Sequence, residues 1–310
     1  MKHPLVKIKV VGIGGSGGNA INRMKKCKIA GIELVAINTD AQDLAKIKAD
    51  VKLRIGRKTT QGLGAGTNPQ IGRKSAFENR QDIVEVLKNS DMVVITYGAG
   101  GGTGTGAGPI VAELAKELGV LTLAIVTKPF SFEGQARARA AENGIKRLKE
   151  KTDTLITISN DKLLSNLDEK TPLINAFWVC DDILRQAVQG ISDLIMLPGI
   201  VNVDFADVKA IMRNSGSALF GVGKAEGEGR AVKAATAAIN SPLLDLSIKG
   251  AKGILFNVSG GKDISLSEID EVAKVITQEV NPTAKIIFGA IQEENLKKGE
   301  IKVTVIATGF

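Results

Sequence analysis

Cysteine and histidine are almost missing from this 310-residue chain, which has two cysteines, Cys27 and Cys180, and a single histidine, His3. The cysteines lie far apart and form no Cys-x-x-Cys pair, and His3 stands alone, so neither a zinc site nor a disulfide scaffold is expected. That usage fits a reducing cytoplasm. No stretch is long and apolar enough to span a bilayer. The opening residues run into the alternating Val6-Lys-Ile-Lys-Val10, which reads as a strand and lacks the apolar run of a signal peptide. A Gly-x-x-x-x-Gly-Lys-Ser/Thr sequence is also missing, which excludes a P-loop. Aromatic residues make up only 4% of the chain and are not interleaved with its 41 Lys and Arg. The net charge of +8 is scattered, and its densest run, Lys46 to Lys58, contains Asp50. It reads as a solvated surface, so nucleic acid is not an expected partner.

What is present is an ordinary globular composition, 44% hydrophobic and 24% charged, in a chain long enough for two modest domains. Short β-branched runs begin at Leu5 to Val11 and recur at Ile32 to Ile37, Met92 to Thr96, Leu121 to Val126 and Leu155 to Ile158. Between them, Ala20 to Lys28, Asn79 to Lys88, Ile110 to Leu118 and Gln135 to Lys149 carry apolar residues at helical spacing. This alternation predicts a doubly wound α/β domain with a parallel sheet. Residues 172–196 predict one long helix, with Leu173, Ala176, Phe177, Ile183, Leu184, Ala187, Val188, Ile191, Leu194 and Ile195 as its apolar stripe. Pro198 and Gly199 end it. The remainder reads as a smaller α+β domain. The expected division is residues 1–171, a connecting helix over 172–198, and 199–310.

Glycine supplies 35 residues, against about 22 at an average usage of ~7%. Fifteen of them fall in three loops: five in Gly12 to Gly18, three in Gly62 to Gly66 and seven in Gly98 to Gly108. The first and third follow predicted strands and precede predicted helices, the second of which is expected to begin beyond Pro109. In a doubly wound sheet that edge binds ligands. Without Cβ the backbone can press its N–H groups against an anion, and a helix start behind each loop adds partial positive charge. Gly12, Gly14 and Gly17 with Asp40 also fit a dinucleotide fingerprint, which makes an NAD-dependent oxidoreductase the rival reading. A second and longer glycine loop argues instead for a polyphosphate such as a triphosphate.

Gly101-Gly-Thr-Gly-Thr-Gly106 resembles the tubulin signature, and the likeness to the tubulin/FtsZ family extends over almost the whole chain. It is carried by Gly14-Gly-Ser-Gly-Gly-Asn-Ala20, Asn38-Thr-Asp-Ala-Gln42, Gly62-Leu-Gly-Ala-Gly66, Thr127-Lys-Pro-Phe-Ser-Phe-Glu-Gly134, Asn160-Asp-Lys-Leu-Leu164 and Asn202-Val-Asp-Phe-Ala-Asp207, in that order. The resemblance implies a GTP-dependent, self-assembling cytoskeletal GTPase of cell division, located in the cytoplasm at the division site. It assigns GTP binding to Gly15, Ser16, Gly17, Gly18, Asn19, Gly66, Gly101, Gly102, Thr103, Gly104 and Thr105, with Glu133 and Arg137 at the ribose end. Asn160, Phe177 and Asp181 would hold the base. A carboxylate at Asp181 can accept from guanine N1–H and its exocyclic amine, a donor pair adenine lacks, and Phe177 can stack on the ring. On residue type alone Phe177 reads as helix core and Asp181 as a solvated residue.

The resemblance further implies that Asn202, Asp204 and Asp207 enter the next subunit's pocket in a head-to-tail homopolymer and polarise the attacking water there. Spaced i, i+3 at a helix start, the two aspartates would face one side. Their acidity alone is also what a helix dipole favours. GTP, GDP and Mg²⁺ are the implied ligands, the metal carried mainly by the nucleotide with no protein ligand assigned. The sequence departs from the family at Trp178, Val179 and Cys180, where smaller or polar residues are common, and in its net positive charge. It ends at Phe310, where relatives continue into a linker and a peptide that binds membrane-tethering division proteins, so a trimmed or tailless protein is expected, with no direct membrane insertion. A hydrolysis-poor scaffold is a further alternative.

Overall fold

The computed structural model describes residues 6–29, 31–164, 172–241, 247–293 and 296–310. His3 and Leu5, and the side chain of Leu173, lie outside them. The chain divides into two compact units, residues 1–192 and 193–310.

In the first unit six parallel strands carry the apolar runs: β1 (Ile8–Ile13), β2 (Ile32–Asn38), β3 (Val51–Arg54), β4 (Met92–Gly98), β5 (Leu121–Lys128) and β6 (Thr154–Ser159). Their order is β3-β2-β1-β4-β5-β6. All seven residues from Met92 to Gly98 except the last are buried, as expected for a central strand covered on both faces. Strand order reverses between β1 and β4, the switch point where the crevice of a doubly wound sheet opens.

The helices of this unit are α1 (Gly14–Cys27), α2 (Ala41–Lys46), α3 (Pro69–Glu78), α4 (Arg80–Leu87), α5 (Gly102–Glu117), α6 (Gln135–Lys151) and α7 (Asn160–Leu164). Two of them begin earlier than the sequence suggests. Helix α1 starts at Gly14 rather than near Ala20, and α5 starts at Gly102 with Pro109 inside it. Glycine costs up to about 1 kcal/mol per helical position, and burial offsets that cost: Gly102 through Ala112 are all buried. A Cβ at Gly17 would lie 2.6 Å from the Thr96 oxygen, and one at Gly106 would overlap the Pro69 carbonyl oxygen. These glycines therefore let α1 lie against β4 and α5 lie against α3.

Helix α8 (Leu173–Met196) follows the expected stripe: Ala176, Ile183, Leu184, Ala187, Val188, Ile191 and Leu194 are buried, whereas Phe177 is 40% exposed. The second unit contains α9 (Phe205–Met212), β7 (Gly216–Glu226), α10 (Arg230–Ile239), β8 (Gly253–Gly260), α11 (Leu266–Gln278), β9 (Lys285–Gln292) and β10 (Glu300–Thr308). Strand β10 pairs antiparallel with β7 and β8, and β9 pairs parallel with β8. Ala231, Ala234, Ala235 and Ala238 of α10, with Val272 and Ile276 of α11, close a core over this sheet. Among the described residues no helix is long and apolar enough to cross a membrane.

Candidate nucleotide site

The site starts from two strands that turn directly into helices. Strand β1 passes into α1 at Gly14, whose φ of +72° suits glycine. Strand β4 passes into α5 through Ala99 to Gly101. The two starts touch, since a Cβ on Gly14 would lie 3.3 Å from both the Gly104 nitrogen and the Thr103 Cβ. Neither start has a side-chain cap or an acidic residue in its first turn. Both positive helix ends are thus left to an outside anion.

Hydrogen bonds hold the cradle in place. Gly98 N–H donates to Ser16 Oγ at 2.7 Å, Gly100 N–H to Thr105 Oγ1 at 2.8 Å, and Gly102 N–H to the Gly66 carbonyl at 3.1 Å. The Thr39 and Thr103 hydroxyls meet at 2.7 Å. Ser16, Gly66, Gly102, Thr103 and Thr105 are therefore brought together, along with Thr39, which lies inside the motif starting at Asn38 but has no role assigned there. Its signal in the sequence is a hydroxyl just after a predicted strand.

The glycines serve two purposes. Gly15 and Asn19 are exposed, and a Cβ at Gly101 or Gly66 would meet nothing within 4 Å. A Cβ at Gly18, in contrast, would lie 2.8 Å from Ile47 Cδ1, and one at Gly104 would lie 2.9 Å from Tyr97 Cδ2. Gly104 is glycine for packing on β4, where a Cβ would strike Tyr97. Asp40, the ribose residue of the dinucleotide reading, caps α2 by accepting from Asp43 N–H at 2.9 Å.

A second group sits around the start of α6 and the first half of α8. Glu133 accepts from Phe130 N–H at 2.9 Å and pairs with Arg137 at 2.9 Å. Arg137 borders the glycine loop, because a Cβ at Gly100 would lie 2.7 Å from Arg137 Cγ. Phe130 stacks on Phe132 at 4.9 Å and meets Phe177 edge-on at 5.3 Å. Phe177 is consequently an open aromatic surface instead of helix core. Asn160 is buried, and its Oδ1 has no partner, which is costly unless a ligand or water supplies a donor. Asp181 accepts from Arg23 Nη2 at 3.2 Å. Burial pushes its carboxyl up to about 6, with the Arg23 charge and hydrogen bond opposing the rise.

In the second unit Asn202, Asp204 and Asp207 are all exposed around the start of α9. Asn202 Oδ1 accepts from Gly199 N–H at 2.7 Å, and Asp204 caps α9 by accepting from Ala206 N–H at 3.2 Å through Oδ1. Asp207 lies in the first turn.

Parallel strands in this order, with paired glycine-rich helix starts at the switch point, define a nucleotide-binding α/β protein. Residues 7–168 match the family model of the Tubulin/FtsZ family, GTPase domain, and residues 216–310 match that of the FtsZ family, C-terminal domain. A solved FtsZ dimer from M. jannaschii, described as empty, is 48% identical, with 99% of this chain and 89% of that chain covered at a TM-score of 0.95. The GTPγS-bound protofilament of CetZ2 from Haloferax volcanii shares the fold, with a TM-score of 0.85 at 18% identity over 97% of this chain and 92% of that one. The chain belongs to the tubulin/FtsZ family of GTPases, and within it to the FtsZ branch.

Proposed function

We propose that this protein binds GTP between the starts of α1 and α5 and hydrolyses it when a second copy completes the site. The observation that carries this reading is the pair of uncapped helix starts in contact at the switch point. The triphosphate lies on Gly15, Ser16, Gly17, Gly18, Asn19, Gly66 and the Gly101 to Thr105 turn, with Glu133 and Arg137 at the ribose. Asn160, Asp181 and the Phe177 face take the guanine. The unpartnered Asn160 Oδ1 supports this placement.

Asn202, Asp204 and Asp207 act on the neighbour's nucleotide. Presented to another copy's nucleotide, these carboxylates orient a water molecule and accept its proton as it attacks the γ-phosphate, releasing GDP and phosphate. Among the described residues no group of three or more His, Cys, Asp or Glu is placed to hold a metal. Bound with the nucleotide and without an assigned protein ligand, Mg²⁺ would supply neutralisation of the phosphate charge. A contact between two different surfaces repeats head to tail and gives a filament. We place that filament at the division site, with further division proteins recruited by any tail the full protein carries.

Light scattering with GTP, with GDP, and with GTP plus a Mg²⁺ chelator tests the reading. Scattering that appears only with GTP and decays as GTP is consumed is expected. Tight NAD binding without GTP binding would overturn it in favour of the oxidoreductase.

A further inference from the structure

Helix α1 contributes to the site at two places. Its start borders the phosphate cradle, and nine residues on, Arg23 reaches α8. Both of its contacts with Asp181, from Nε at 3.3 Å and Nη2 at 3.2 Å, fall on Oδ2. The same guanidinium carbon lies 5.1 Å from the centroid of the Trp178 ring, within cation–π range. Trp178 precedes Asp181 by three positions on α8, so the two share one side of that helix. Trp178 is 51% exposed, a poor position for the chain's single tryptophan unless it has a task there. The side chain of Arg23 is only 23% exposed, so the pair is shielded enough for its charges to matter.

We propose that Arg23, held over Trp178, is a positioning residue that keeps the Asp181 carboxylate charged and aimed at the N1–H and exocyclic amine of a guanine base. The proposal deepens the function given above and rests on its assignment of Asp181 to the base. The electrostatic surroundings of Asp181 are simple. Arg23 is the cation facing it from α1. Glu133, ahead of α6, is paired with Arg137 and bears on Cys180. Asp161 of α7 accepts from Ser131, and Asp182, next on α8, is bound by Arg185 and Gln186. Burial favours the neutral Asp181 carboxyl, and Arg23 is the group that opposes it. A neutral carboxyl turns one of its two oxygens into a donor, so it can no longer accept from both the N1–H and the exocyclic amine.

The test is GDP binding from about pH 5 to 8.5 for the unaltered protein and for Arg23→Met, Arg23→Lys and Trp178→Leu, repeated with inosine diphosphate, which lacks the exocyclic amine. In the unaltered protein GDP affinity falls as pH drops through about 6. Arg23→Met raises that midpoint by roughly one to three pH units and weakens GDP binding about tenfold near neutrality, with recovery at high pH. Arg23→Lys keeps the midpoint near its original value, Trp178→Leu raises it less than Arg23→Met, and inosine diphosphate loses less than GDP in every variant. In an Asp181→Asn background Arg23→Met has no further effect on GDP affinity.

An unmoved midpoint with intact GDP binding would overturn the role of Arg23 alone. An equal loss at every pH, or one that adds to Asp181→Asn, would reduce Arg23 to a structural residue and overturn it as well. Absence of GDP binding by the unaltered protein at every pH would overturn the nucleotide reading itself, and this proposal with it.

Discussion

The starts of α1 and α5 differ from the start of α9 in one respect that bears on function. The first two have no side-chain cap and no acidic residue in their first turns. Helix α9 has both, with Asp204 as its cap and Asp207 one turn in. A bare helix start carries about half a positive charge and attracts an anion, whereas a start that supplies its own carboxylates has neutralised that charge. One unit thus has two helix starts open to an anion, and the other has a start that carries its own acid. The contrast supports the proposal that the nucleotide of one copy meets the carboxylates of another.

Removing the acid should have the largest effect. Asp207→Ala is expected to lower GTP turnover by roughly a hundredfold to ten-thousandfold, the usual contribution of a positioned proton acceptor, with GTP affinity unchanged. Steady-state hydrolysis alongside equilibrium binding checks this, and lost affinity would place Asp207 in its own subunit's pocket. The reverse change gives the bare start an acid of its own. A side chain at position 101 has open space, and Gly101 already has the extended backbone of a cap. Gly101→Asp should cap α5, leave the fold as stable or more so, and weaken GTP binding on the order of a hundredfold by occupying N–H groups and repelling phosphate. Unchanged affinity would show that the α5 start is not the phosphate site.

A smaller and different effect is expected at Gly106, where a new Cβ would overlap the Pro69 carbonyl oxygen. Gly106→Ala should cost about 3 kcal/mol of stability in denaturant unfolding, as overpacking does. Nucleotide binding in the surviving folded fraction should persist. Smallest of all, Asp204→Asn preserves the α9 cap while Asp204→Ala removes it, so their stabilities should differ by about 1 kcal/mol. Equal stabilities would show that Asp204 is not needed as a cap.

The parallel sheet was legible because its buried strands are plain apolar runs, and the position of the glycine loops after β1 and β4 pointed to the switch point. The division of labour among the glycines was not legible. Gly101 and Gly104 look alike in sequence, yet one borders open space and the other packs on Tyr97. That distinction depends on which way the helix turns. Strand β3 was hidden in the basic run from Lys46 to Lys58, and the short helix α2 ends where that run begins. There Lys52 and Arg54 sit on a sheet-edge strand, where charge discourages pairing with another chain. Helix α3 carried readable signals in its Asn68 cap and Pro69, though its glycine and polar residues gave no clear stripe. The pairing of Arg23 with Asp181 spans 158 positions and leaves no periodic trace in the sequence.

GTP turnover per subunit, measured across a wide range of protein concentration, tests most directly whether the active site is shared between copies. A shared site predicts a specific rate near zero in dilute protein that rises steeply once copies associate. A specific rate that is the same at every concentration, including those where the protein is monomeric, would contradict it.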